Sequence, residues 1–244
     1  EQPILRRAFG TDLAYFLGQY LLWSALALRV LQVLQRNIVA LTPGGLRAAV
    51  AAQPLWLQAL AVLVLSDLTI YWGHRLQHRV PLLWRFHAVH HSAEHLDWLA
   101  AHREHPLDGL YTQTLVNLPA LVLGVPISVL AGLAAFRGAW AIFIHSNVRL
   151  PLGPLRLLLG APELHHWHHS RDRFQGNYAN LSPLMDLLFG TYYCPTNAPA
   201  ALGLATPFPR TYVGQLLQPF RRRDGRPATA AAFTAGSAAR TGWG

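Results

Sequence analysis

Residues 74–91 read HRLQHRVPLLWRFHAVHH and follow directly on an apolar run, residues 55–72, that is long enough to cross a bilayer. The five histidines fall as H-x-x-x-H and then H-x-x-H-H, and a second H-x-x-H-H occurs at His165, His168 and His169. Side chains three or four apart share one face of a helix, so each box aims two or three imidazoles at one point. An imidazole cluster beside apolar surface is expensive unless something organises it. One box is weak evidence, because a lone histidine is usually a satisfied core residue. Three boxes on one apolar chain point to a polynuclear metal site, and the fold must bring them together.

Composition agrees with a membrane setting. Of 244 residues, 52% are hydrophobic and 13% charged, against about 25% charged in soluble domains. The net charge of +9 comes from arginine alone, as the chain has no lysine. The arginines flank apolar segments rather than forming one stripe, which favours lipid headgroups over nucleic acid as their partners. The single cysteine, Cys194, excludes an internal disulfide and a cysteine-ligated cluster.

The apolar segments predict four transmembrane helices, near residues 13–34, 55–73, 107–124 and 126–146. A loop over 35–53 contains the turn Thr42-Pro43-Gly44-Gly45, and Pro81 opens an amphipathic segment along the membrane surface. The break Gly124-Val125-Pro126 folds the third and fourth helices into a hairpin, returning His145 to the side of the boxes. The expected fold is all-α: an integral membrane four-helix bundle with a histidine-rich helical cap holding a dinuclear metal site. Residues 1–220 form one membrane-embedded domain, and the basic, low-complexity tail 221–244 is expected to be disordered. Arg75, Arg79, Arg85, Arg103, Arg149, Arg156, Arg171 and Arg173 lie on the box side with Arg6 and Arg7, whereas the opposite loops carry Arg36 and Arg47. The positive-inside rule therefore places the site and both termini on the cytoplasmic face.

Asp67, Tyr71, His74 and His78 form one stripe of the second helix. Asp67 is expected to accept a hydrogen bond from the distal nitrogen of a ligating imidazole, with Tyr71, Asn147 and Glu163 supporting the ligands from behind. Eight of the eleven acidic residues lie in or near the histidine-rich segments: Asp67, Glu94, Asp97, Glu104, Asp108, Glu163, Asp172 and Asp186. Imidazole suits zinc, copper, iron and nickel. One zinc needs about four ligands, so the boxed histidines suit two metals with open positions. Only Glu163–His166 has Glu-x-x-His spacing, which disfavours a ferritin-like site, and H-E-x-x-H is absent.

Over residues 60–195 these boxes resemble the fatty acid hydroxylase/sterol desaturase superfamily. D-x-x-x-Y-W-x-H (67–74), R-x-H-P (103–106), H-S-N (145–147), A-P-E-L-H (161–165), N-Y (177–178) and F-G-T-Y-Y (189–193) also match, while Met185 stands where the family usually has tryptophan. The resemblance implies His74, His78, His87, His90, His91, His165, His168 and His169 as ligands of two irons. It adds His145 as a ninth, and His105 as a further ligand or a partner of one. His95, His102 and His166 are read as non-ligands. It implies an oxygen-dependent hydroxylase or desaturase of a fatty acyl lipid or sterol, hydroxylation favoured, in a bacterial inner membrane. Electrons would come from a ferredoxin or a cytochrome b5-like protein, and zinc would replace iron on overexpression. The competing readings are a non-catalytic metal-binding membrane protein and a di-zinc hydrolase.

Overall fold

The computed structural model describes residues 3, 5–148, 150, 152–173 and 175–221. The described residues are helical with no strand, and an isolated bridge joins Ser170 to Leu202. In chain order the helices are α1 (Phe9–Gly18), α2 (Ser24–Leu41), α3 (Gly44–Ala51), α4 (Leu55–Arg79) and α5 (Pro81–His87). There follow α6 (Pro106–Leu123), α7 (Ile127–His145), α8 (Pro162–His168), α9 (Leu184–Leu188) and α10 (Tyr212–Leu217). Of the expected tail 221–244, Arg221 is described and residues 222–244 lie outside the described ones.

A π-helical turn, Gln19–Trp23, joins α1 to α2, so that Phe9–Leu41 is one helix of 33 residues. This helix and the 25-residue α4 are long and apolar enough to cross a membrane, by length and composition. Helices α6 and α7 form where the other two crossings were expected, with 18 and 19 residues, although the apolar stretch Val129–His145 falls short of the same criterion. The expected loop over 35–53 is corrected. The long helix continues to Leu41, and α3 fills Gly44–Ala51. Only Thr42 and Pro43 interrupt them, because Pro43 turns the chain and its carbonyl accepts the Leu46 and Arg47 amides. Leu46, Arg47, Ala48, Ala49 and Ala51 then favour helix.

Helix α4 packs most closely on α6. Ser66 Oγ donates to the Val116 carbonyl (2.7 Å) and Thr69 Oγ1 to that of Leu115 (2.9 Å). Gly73 faces Leu115 so tightly that a Cβ there would overlap its side chain. Gly124 ends α6 with φ +69, and its missing Cβ leaves room for the Arg47 guanidinium, so the hairpin turn needs glycine twice over. The turn sends α7 back toward the histidine-bearing end of α4, where α5, α8 and the loops around them form a cap with a small apolar core of Ala93, Leu96 and Ala100 against Leu202.

The cap is tied to the first helix by buried charges. Asp12, fully buried, lies 2.7 Å from Arg6 and 2.5 Å from Arg103, and Arg6 also makes two 2.6 Å bonds to Asp97. Nothing in the spacing of Asp12 marked it for this role.

Candidate metal centre

Nine imidazoles converge in the cap in two groups. His74, His78, His87, His91 and His168 form one, and His90, His145, His165 and His169 the other; within each group the ligating atoms all lie within 4.8 Å of one another. The boxes do not each aim at one point, as their spacing suggested. Each H-H doublet is divided: His91 and His168 join the first group, His90 and His169 the second. The divided doublets bring the groups into contact, with the His91 and His169 rings stacked at 4.4 Å.

Five of the nine imidazoles have their Nδ1 engaged by an acceptor. The Nδ1–H of His74 donates to the Tyr178 carbonyl (2.9 Å), that of His90 to the Arg103 carbonyl (3.0 Å), that of His145 to the Ala141 carbonyl (2.7 Å) and that of His168 to the Gly176 carbonyl (2.8 Å). His87 Nδ1–H donates to Asp108 Oδ2 (2.9 Å). A carbonyl or carboxylate only accepts, so these partners fix the tautomer and leave a bare lone pair on each Nε2.

Several Nε2 atoms approach one another closely. His74 and His87 Nε2 are 3.1 Å apart, as are His90 and His145, while His145 and His165 are 2.9 Å apart and His165 and His169 3.1 Å. For His74–His87 and His90–His145 neither Nε2 carries a proton, so no hydrogen bond explains the approach. Protonation does not fill the gap either, as burial, with His87 adding to it, pushes His90 down to about 4, and burial pushes His168 down to about 3. The Nε2 of His168 and Nδ1 of His169 are buried without a hydrogen-bond partner. A metal cation suits this donor set. Metal–imidazole bonds of about 2.0–2.1 Å place right-angle ligands about 2.9 Å apart, the separation found here. All-nitrogen ligation fits iron, zinc or copper.

The loop that supplies two of the carbonyls is itself anchored. Asp186 accepts the Tyr178 and Ala179 amides (2.8 and 2.9 Å) and the Thr191 hydroxyl (2.7 Å). Asn177, at φ +52, binds the Leu164 and Tyr193 carbonyls and the Tyr193 amide.

The expectation for Asp67 is corrected. Its carboxylate accepts the Leu181 and Ser182 amides (2.9 and 3.2 Å) and reaches no imidazole. It holds the loop whose Tyr178 carbonyl orients His74, and is thus one step removed from the site. The carboxylate on an imidazole is Asp108, an acidic residue in the first turn of α6 directly after R-x-H-P. Tyr71 pairs with Thr191 Oγ1 and accepts from Arg75, again not from an imidazole. Asn147 is exposed, and it lines a cavity together with Glu163 outside the imidazole groups. His105 stands apart from both groups. It caps α6 by accepting the Leu107 amide, and its Nε2 donates to the Leu216 carbonyl. His95, His102 and His166 belong to neither group. Sequence reasoning missed Arg103, Gly176 and Asn177, because two act through backbone carbonyls and one through loop geometry.

The fatty acid hydroxylase family profile matches residues 59–191. Among curated relatives, "Ornithine lipid hydroxylase OlsE" of Rhizobium tropici is 34% identical over 70% of this chain and 52% of its own length. Human "Alkylglycerol monooxygenase" is 36% identical over 58% of the chain and 32% of its own. "Delta(7)-sterol 5(6)-desaturase ERG3A" of Gibberella zeae is 31% identical over 54% and 37%. The chain thus spans about half the length, or less, of these relatives. No solved structure matches it significantly. On the extent of the profile match, the chain belongs to the fatty acid hydroxylase family.

Proposed function

We propose that the chain is a membrane oxidoreductase acting on unactivated C–H bonds of a membrane lipid, with two irons held by the nine imidazoles and dioxygen as co-substrate. The observation that carries this reading is the pair of imidazole groups in which unprotonated nitrogens, His74 with His87 and His90 with His145, face one another at 3.1 Å. The relatives' names, which specify an ornithine lipid, an alkylglycerol and a sterol, support a lipid substrate, and two of the three favour hydroxylation over desaturation. Iron held there and reduced by an electron donor would supply the electrons that activate dioxygen, which is the oxidant for the C–H bond.

The chain's own part is positioning. His74, His78, His87, His91 and His168 would hold one iron, and His90, His145, His165 and His169 the other. Carbonyls and Asp108 keep the Nδ1 of His74, His87, His90, His145 and His168 protonated, so that their Nε2 stays available as a ligand. Seven of the nine histidines are buried and His74 and His90 half-buried, and this low exposure strengthens the electrostatic contacts at the site. A single unit over residues 1–220, with Phe9–Leu41, α4, α6 and α7 as four crossings, would set the cap on the cytoplasmic face of the inner membrane. Arg75, Arg79, Arg85, Arg171 and Arg173 would then surround the mouth, where an acidic ferredoxin or a cytochrome b5-like donor can dock.

The test is lipid mass spectrometry of a host with and without the protein, grown in labelled dioxygen. Label in a lipid supports hydroxylation, and loss of two hydrogens without label supports desaturation. No oxygen-dependent lipid change, with iron bound and a competent donor present, rejects the reading.

A further inference from the structure

A cavity of about 420 Å³ lies against the face of α8 that carries Glu163, His166 and Trp167, one stripe at helical spacing. The imidazoles of His165 and His168 leave the same helix from other positions, and the cavity touches neither. Its other walls include Arg156, Cys194 and Asn197. The side chains of Arg156 and Glu163 make no hydrogen bond or ion pair among the described residues, although both line this one space. Both also act on the Cys194 thiol: burial pushes the thiol up, Glu163 adds to the rise and Arg156 opposes it.

Glu163, half-buried, and Arg156, exposed at the rim, are opposite charges with no partner among the described residues, and together they match a ligand that carries both. A carboxylate recognises a primary ammonium through charge-assisted hydrogen bonds, and a guanidinium recognises a phosphate or carboxylate in the same way. The loop bearing Arg156 identifies what the ligand is attached to. Leu155, Leu157, Leu158 and Leu159 flank the arginine and are 52, 39, 53 and 39% exposed. A run of exposed leucines beside an arginine suits the boundary of a membrane, with apolar side chains in the acyl region and the guanidinium at headgroup level.

We propose that this cavity holds the headgroup of a zwitterionic lipid, with Glu163 binding its primary ammonium and Arg156 its phosphate or carboxylate. The inference rests on the membrane-lipid reading above and gives that lipid a headgroup class.

Purified full-length protein is equilibrated with mixed micelles of equal phosphatidylethanolamine, phosphatidylcholine and phosphatidylglycerol, and the retained lipid is quantified by mass spectrometry. Phosphatidylethanolamine should be enriched roughly fivefold over the other two, the scale of one partly exposed ion pair. Glu163→Gln should abolish its preference over phosphatidylcholine, whose quaternary nitrogen has no N–H to donate. Glu163→Asp, which keeps the charge, should retain it, so that loss by misfolding is recognised. Arg156→Gln should lower retention of all three lipids, since each carries the phosphate. Equal retention of all three lipids by the native protein overturns the proposal, as does unchanged enrichment in Glu163→Gln. Displacement of the bound lipid by an equal concentration of free phosphoethanolamine overturns the lipid assignment. The assay reads binding without turnover, so its failure leaves the oxygenase reading standing, and failure of the oxygenase test does not alter its result.

Discussion

Asp108 Oδ2 lies 2.9 Å from His87 Nδ1, and the other carboxylate oxygen accepts Gln77 Nε2 at 2.6 Å. The carboxylate therefore holds the ring and its proton from behind while Gln77 holds the carboxylate. Loss of such a partner typically lowers metal affinity about 10–100-fold. Asp108→Asn should do so, as read by chelator competition, and Asp67→Asn should have a smaller effect because it acts only through the loop. Equal effects of the two would show that the imidazole contact carries no special weight.

The division into two imidazole groups predicts separable metal losses. His78→Ala removes a member of the first group only and His145→Ala a member of the second only. Each variant should fall from about two metals per chain to about one, while His166→Ala should keep both and retain turnover. Metal analysis of purified protein decides the matter. Loss of all metal from either single variant would mean that the groups form one indivisible site.

Asp12 is buried between Arg6 and Arg103. Asp12→Ala leaves two buried guanidinium groups short of a partner, and removing one member of a buried pair typically costs about 3–5 kcal/mol. Thermal unfolding in detergent should show a large drop. Because the Arg103 carbonyl orients His90, metal affinity should fall as well. A variant as stable as the native chain would refute the structural role of this network.

Glu104 gives a pH dependence. Burial, and then the charge of Asp108, pushes its carboxyl up to about 8. An acid whose folded pKa is raised opposes folding once it must ionise, so stability is greatest below the unfolded value of 4.5 and declines as pH rises through 8. Glu104→Gln should therefore stabilise the protein at pH 8.5 and change little at pH 4.5. The same shift at both pH values would assign the effect to packing instead.

Gly176 has φ +127, and a Cβ would meet the Thr191 carbonyl oxygen at 2.7 Å. Its own carbonyl accepts from His168. Gly176→Ala should cost about 1–3 kcal/mol in backbone strain and weaken metal binding in the first group. Unfolding curves and chelator competition, run side by side, test both effects.

By itself the sequence determined the local facts: helix at α4, the turn at Gly124, the return of His145 by the α6–α7 hairpin, and the membership of His74, His78, His87, His90, His91, His165, His168 and His169 in boxes. Apolar run length and helical spacing are short-range properties, and a chain records them directly. Which imidazoles share a group was decided by tertiary structure. Neighbours such as His90 and His91 project to different sides of the backbone, and only the packing of α5 and α8 against α4 and α7 shows what each side meets. The carboxylate assignment went astray for the same reason. Asp67 shares a helical stripe with His74 and His78, but that face also meets the 181–182 loop, whose free amides take the carboxylate. Asp108, 21 residues from His87 in sequence, reaches the ring because α6 begins beside it. Backbone carbonyls complete four of the imidazole contacts. A carbonyl belongs to every residue type, so no letter in the sequence marks which ones will be used.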